Sequence, residues 1–267
     1  MKKIKNPMIR RIPKELIGDW KKYLVVFLFL VLTIGFVSGM YVANESMITS
    51  ANEGVIKYKQ EDGHFELKKQ ADATLLSAIE TGEKADFKAT KTTLYENFFR
   101  NEEEDYNNDG KKDGTIRVFA KTKDINLACM LQGSFPQKAD EIAIDRMHAD
   151  NVGIKVGDTV TVSGETYKVV GLLAYVNYST LHEKTTDLMF DALKFDVAMV
   201  TQDGFDRLHK SIHYTYAWKY ETEPADEAGE KTRSDNFMRA LLTQVVVADN
   251  ELEDYTPVSY THLTLPT

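Results

Sequence analysis

The chain has 267 residues, a single cysteine and a formal net charge of −8. That length suits one or two domains with a substantial core, and the lone Cys129 rules out an intrachain disulfide or a multi-cysteine metal site. Charge is unevenly divided: Lys2, Lys3, Lys5, Arg10, Arg11, Lys14, Lys21 and Lys22 face only Glu15 and Asp19 ahead of residue 23, so the chain beyond residue 43 carries −14. Such an acidic bulk argues against nucleic-acid binding.

Residues 1–22 form a basic segment. Pro13 suits the first turn of a short helix with Leu16, Ile17 and Trp20 on one side, and Lys14, Lys21 and Lys22 within reach of lipid phosphates. The same residues read equally well as ordinary flanking charge with a tryptophan at the headgroups. Residues 23–43 are an uninterrupted apolar run in which only Thr33 and Ser38 have polar side chains. As a helix, 21 residues span about 31 Å, the thickness of a bilayer's hydrocarbon. A cleavable signal core is shorter and exits through small residues, whereas this run ends Tyr41-Val42-Ala43-Asn44. The segment therefore reads as an uncleaved membrane anchor. The positive-inside bias keeps the N-terminus cytoplasmic and places the bulk outside.

Within the span, Gly35 and Gly39 have the four-residue spacing that lets two helices approach closely in lipid. Beyond it, Tyr41, Asn44, Ile48, Ala51, Val55 and Tyr58 alternate by three and four, a heptad-like seam that extends the helix outward over a stalk at 44–60. The seam fits a stalk packed on another helix, or a solitary helix docking onto its own domain.

Residues 44–257 then mix strands and helices without regular βαβ alternation, an α+β pattern. The spacing predicts a strand over 64–67, a helix over 71–79, mixed periodicity over 92–100 and a strand over 116–120. Three glycine-cornered strands follow at 141–145, 159–162 and 166–173, with a short helix at 146–151 between the first two. Further along come a buried strand at 196–200, a short helix at 202–210, a strand at 213–220 with Tyr214, Tyr216, Trp218 and Tyr220 on one face, and a helix established by Asp235.

Between the first strands, Asp105, Asn107, Asp109 and Asp113 imitate the oxygen-rich start of a calcium loop. The bidentate acid that such a loop needs at its twelfth position is replaced by Ile116, and Asn-Asp-Gly is equally a hairpin turn signal. No nucleophile elbow, metalloprotease helix, paired zinc spacing or phosphate loop occurs. His182, Glu183 and Asp187 can be drawn as a triad with Ser179, a combination that chance supplies in any chain of this size. The sequence thus nominates no catalytic residue, no cofactor and no nucleic-acid partner.

The order of parts, together with Gly133-Ser134-Phe135-Pro136, Glu141-Ile142-Ala143-Ile144, Gly153-Ile154-Lys155-Val156-Gly157-Asp158-Thr159-Val160 and Tyr167-Lys168-Val169-Val170-Gly171-Leu172, resembles the MacB/FtsX-type permeases of ABC transporters. The glycines and Asp158 mark corners of a fold rather than an active site. The resemblance covers roughly residues 8 to 257. It implies a permease subunit that couples a separate cytoplasmic ATPase, which binds the ATP, to motion of an extracytoplasmic domain for export, extraction or signalling. It also implies a second permease copy or related subunit, and three further spans that this chain lacks. Residues 258–267 look foreign to that pattern and read as the tail of a truncated fragment. The alternative from the residues alone is a single-span receptor or sensor whose outer domain binds a ligand.

Overall fold

The computed structural model describes residues 18–81, 91–178, 181–183, 189, 191–222 and 227–258. The expectations for the basic N-terminal segment up to residue 17 and for the tail from 259 lie outside these residues. The chain divides into two units between Asn52 and Glu53.

The first unit is dominated by helix α1, Trp20–Lys57, 38 residues without a break. No proline interrupts it. Its apolar stretch is bare, with Leu32 and Phe36 each 71% exposed. A continuous apolar surface of this extent is untenable in water, and the helix is long and apolar enough to cross a bilayer. Thr33 satisfies its hydroxyl by donating to the Phe29 carbonyl one turn back, 2.8 Å away.

In the second unit the order is β1 (Gly63–Leu67), α2 (Ala73–Thr81), β2 (Thr92–Glu96), β3 (Phe99–Asp105), β4 (Gly114–Ala120), β5 (Ala128–Gly133), β6 (Glu141–Asp145), α3 (Arg146–Val152), β7 (Thr159–Val162), β8 (Glu165–Tyr175), β9 (Phe195–Val200), α4 (Gln202–Asp206), β10 (Tyr214–Tyr220), α5 (Glu227–Val247) and β11 (Leu252–Pro257). This is the α+β class expected from the sequence. The smaller sheet runs β11-β1-β10-β2 and is antiparallel throughout. The period-two pattern of β10 places Tyr216 and Trp218 against Phe65, with Leu75 and Ile79 of α2 and Phe237, Leu241 and Val245 of α5 closing the core. Trp218 is fully buried, its ring 4.7 Å from Phe237 and 5.2 Å from Tyr255.

The larger sheet has the order β5-β8-β6-β9-β4-β3-β7, and β7 also pairs with β8. Six strands therefore close into a ring, with β5 hanging outside on β8. Strand β9 is buried along its whole length. Its Phe195, Val197 and Met199 join an outer cluster with Phe99, Phe119 and Leu173. Its Ala198 and Val200 point the other way, into an interior with Ile116, Val118, Ile142, Ile144 and Tyr167. The pairing of β6 with β8 slips between Ile142 and Ala143, so that Val170 has no partner on β6. Across this bulge the inward positions change from Tyr167 and Val169 to Leu172.

Several boundaries differ from the sequence expectation. Helix α5 starts at Glu227, eight residues before Asp235, because its first turns are polar and carry no apolar stripe. Arg233 fixes this end by donating to the Thr222 carbonyl and lying over the Tyr220 ring. The helix expected over 202–210 stops at Asp206. The mixed stretch 92–100 resolves into the whole of β2 and the start of β3, and β5 and β11 are additional edge strands.

Gly133 closes β5 at φ 76°, where a Cβ would stand 2.2 Å from the Val170 carbonyl oxygen at the bulge. Gly164, in the turn between β7 and β8, has φ 87° but nothing within 4 Å of a Cβ. Gly164→Ala should therefore cost only the left-handed backbone penalty, about 1 kcal/mol. Gly133→Ala adds a clash with backbone and should cost about 3 kcal/mol. Thermal unfolding of the two variants in detergent measures the difference, and equal losses would show that close approach is not what requires Gly133.

Candidate functional site

The sequence-nominated residues fall in three places. Gly35 and Gly39 lie on α1 with nothing near a Cβ built on either, so the backbone there is open to approach. On the seam, Tyr41 and Asn44 are exposed and Ile48 is half-buried, while Ala51 has no described side chain. Val55 and Tyr58 are half-buried at its outer end. There the Tyr58 hydroxyl donates to Cys129 Sγ at 2.9 Å, and the carbonyls of Tyr58 and Lys59 accept from the Leu127 and Asn126 amides. The end of the helix is thereby tied to the segment leading into β5.

The loop of Asp105, Asn107, Asp109 and Asp113 connects the antiparallel strands β3 and β4 as a hairpin turn. Its acidic oxygens are taken by its own amides. Asp105 accepts from the Asp109 and Gly110 amides at 3.1 and 2.8 Å. Asp113 accepts from the Tyr106 and Asn107 amides and from the Asn107 side chain, and Asp109 accepts from the Lys111 amide. Those bonds serve turn geometry. Of the drawn triad, Ser179 and Asp187 lie outside the described residues.

The sequence reading passed over a cluster immediately beside that loop. Glu104 on β3, His148 on α3 and Asp196 on β9 are each fully buried, and their ligand atoms lie within 4.8 Å of one another. Local structure explains each placement. Asp145 ends β6 and caps α3, accepting from the Met147 and His148 amides at 2.7 and 3.4 Å, which turns His148 inward on the first turn. Asp196 follows the inward parity of Ala198 and Val200, and its Oδ1 accepts from the Asp145 and Val197 amides at 3.2 and 2.7 Å. Glu104 occupies the inner face of β3 beside Gly114, where a Cβ would meet the Lys194 carbonyl oxygen at 2.7 Å. The Tyr106 ring stands edge-on to His148 at 5.8 Å.

Burial disfavours the His148 imidazolium, but the Asp196 charge and Glu104 outweigh it and push the group up to about 9. Burial drives Asp196 well above the usual carboxylate range, against the opposing pull of His148. A buried ion costs several kcal/mol even after relaxation, so this cluster is poor stabilisation by itself. The sequence signal was a lone acid in the otherwise apolar strand β9.

A second feature is a cleft of about 780 Å³ between the two sheets, lined among others by His64, Glu66, Phe99, Arg117, Tyr178 and His213. Arg117 lies 4.3 Å over the Phe99 ring and donates to Asn101, Tyr178 and the Glu183 carbonyl, so it braces the wall. His213 stacks on Phe99 at 4.6 Å and meets Glu66 at 2.6 Å. His64 meets buried Glu61 at 2.8 Å, and Asn126 donates to the other Glu61 oxygen at 2.6 Å. Burial lowers the His64 pKa, but the charge and hydrogen bond of Glu61, with Asp254 adding to them and Arg117 opposing, leave it raised.

A histidine raised on folding stabilises fully below its unfolded value, about 6.5, and loses that contribution as pH rises through the folded value. His64→Gln should therefore lower the melting temperature more at pH 6 than at pH 9. Melting curves of both proteins across that range check this; a gap that is constant or widens with pH contradicts a protonated His64.

No protein-family model matches the chain, and no curated protein sequence matches it. Among solved structures, it is similar to the extracellular domain of the noncanonic ABC-type transporter YknZ from Gram-positive bacteria. That match has 13% identity and a TM-score of 0.37, and covers 73% of this chain and all of the other. It is also similar to the periplasmic region of MacB from Actinobacillus actinomycetemcomitans, at 9% identity and a TM-score of 0.36, over 72% of this chain and 88% of that one.

Proposed function

We propose that this chain is a permease subunit of an ABC transporter, anchored by α1 with its N-terminus in the cytoplasm and its α+β unit outside. In this reading α1 couples a separate cytoplasmic ATPase to motion of the outer domain for export, extraction or signalling. The observation that carries the proposal is the continuity of α1. Its apolar stretch ends at residue 43, yet the helix continues to Lys57 without a proline or a break. A helix is the stiffest way to carry displacement across a bilayer and out to a folded domain, because every turn is bonded to the next. The outer end is held: Tyr58, Lys59, Asn126, Leu127 and Cys129 make three hydrogen bonds there. The basic flank and acidic bulk support the orientation. Gly35 and Gly39 give a face on which a second permease copy, or a related subunit, packs in lipid.

Two measurements test the reading. Spin labels at Val42 and Val55, thirteen positions apart, should give one narrow distance near 20 Å in lipid, the rise of a continuous helix. A broad or much shorter distribution removes the lever. Mild-detergent purification of the chain from its native membranes should bring down an ATP-binding-cassette subunit. Recovery with a cytoplasmic signalling protein instead would favour the receptor alternative.

A further inference from the structure

We propose that Glu104, His148 and Asp196 form a buried site for one divalent transition-metal ion, with zinc as the ion its ligand set fits best. The case rests on which atoms are held and which are free. His148 Nδ1 lies 2.7 Å from the Ala192 carbonyl oxygen, so Nδ1 carries the proton and donates it. That leaves Nε2 as the ring's ligand atom, the arrangement in which an outer carbonyl orients a metal-bound histidine. Asp196 Oδ1 is occupied by two backbone amides while Oδ2 has no partner. Both carboxylate oxygens of Glu104 and His148 Nε2 are also fully buried without a hydrogen-bond partner. Nature rarely leaves four such atoms unsatisfied in one place.

The one ion-pair contact among them does not satisfy them as a hydrogen bond. His148 Nε2 and Glu104 Oε1 are 3.3 Å apart, but the contact lacks hydrogen-bond alignment. That spacing equals, within a few tenths of an ångström, the edge of a tetrahedron of ligands about 2.1 Å from a zinc ion. Charge balance points the same way. Two carboxylates and a neutral imidazole carry −2, which one divalent cation cancels beside Val162 and Ile116, the cross-strand partners of Glu104 and Asp196. Calcium and magnesium prefer all-oxygen shells, whereas one imidazole with two carboxylates suits zinc and, less well, manganese. The ion would clamp β3, α3 and β9 together at one end of the ring.

Because the site is enclosed, the metal has to enter as the chain folds, and the test is made on protein matured with the ion. The full chain, without a histidine tag, is purified in detergent from cells grown with added zinc, manganese or cobalt, and its metal content is measured. We expect about one zinc per chain, less manganese, and a visible absorption band of four-coordinate character from the cobalt protein. Glu104→Gln and Asp196→Asn, which keep shape and remove charge, should lose the ion and the band. The zinc protein should melt about 5 to 10 °C above the same chain from zinc-depleted cells. His148→Gln that retains one equivalent would assign the metal to other residues and overturn the proposal. So would wild-type protein no richer in zinc than Glu104→Gln, with Asp196→Asn melting higher than wild type, the result expected if the cluster holds only protons.

Discussion

The closure of the larger sheet through β8 is the constraint on which the second unit depends. This eleven-residue strand pairs with β7 along its first four residues, with β6 through its middle and with β5 toward its end. No shorter strand could satisfy three neighbours. Length alone would not suffice, because a strand that keeps strict alternation would turn Leu172 away from the interior. The bulge at Val170 corrects the parity, and Gly133 and Gly171 allow the neighbouring backbone to come close enough to pair around it. Closure removes the free edges that six open strands would present to other chains. It also creates an interior, and everything notable about the unit's chemistry follows from what that interior contains.

Most of that interior is aliphatic, yet β3 buries Glu102 and Glu104, and β9 buries Asp196. Two acids facing one histidine in a dry space require protons or a cation, since the solvation lost on burial exceeds what hydrogen bonds from two amides return. The exposed loop of Asp105 to Asp113 shows the contrasting case. Its carboxylates have the composition of a cation site but spend their oxygens on their own backbone, as short acidic loops do. The turn and the buried cluster meet here within a single position: Asp105 shapes the turn, and Glu104 faces inward.

How far the sequence could be read follows from what each segment buries. Helix α1 was legible from one long apolar run without a proline. Strands β6, β7 and β8 were legible because glycine corners bracket their apolar residues, β9 because it is a short apolar run, and β10 because its aromatics alternate. Strand β3, Phe-Arg-Asn-Glu-Glu-Glu-Asp, was not, since nothing in a run of four acids announces that Glu102 and Glu104 lie in a core. Glu102 is excused by Ser163 and the Lys210 amide, partners that arrive from distant parts of the chain. The edge strands β5 and β11 were missed because an edge tolerates exposed and charged residues that blur alternation. The site was least legible of all, because Glu104, His148 and Asp196 meet only after the ring has closed.

The placement of β11 has a mechanical meaning. It lies antiparallel to β1 with Pro257 opposite Gly63, and the Val258 amide donates to the Asp62 carbonyl at 2.9 Å. The start of β1 and the end of β11 therefore lie side by side, like the two legs of a clothes peg. Tension that spreads those legs loads the ladder one rung at a time from the open end, the geometry in which paired strands peel rather than shear. Val258 would part from Asp62 first, with the aromatic stack of Tyr255 on Trp218 as the first substantial resistance. The smaller sheet thus has a built-in tear line, and the aromatic core behind it sets where the tear stops.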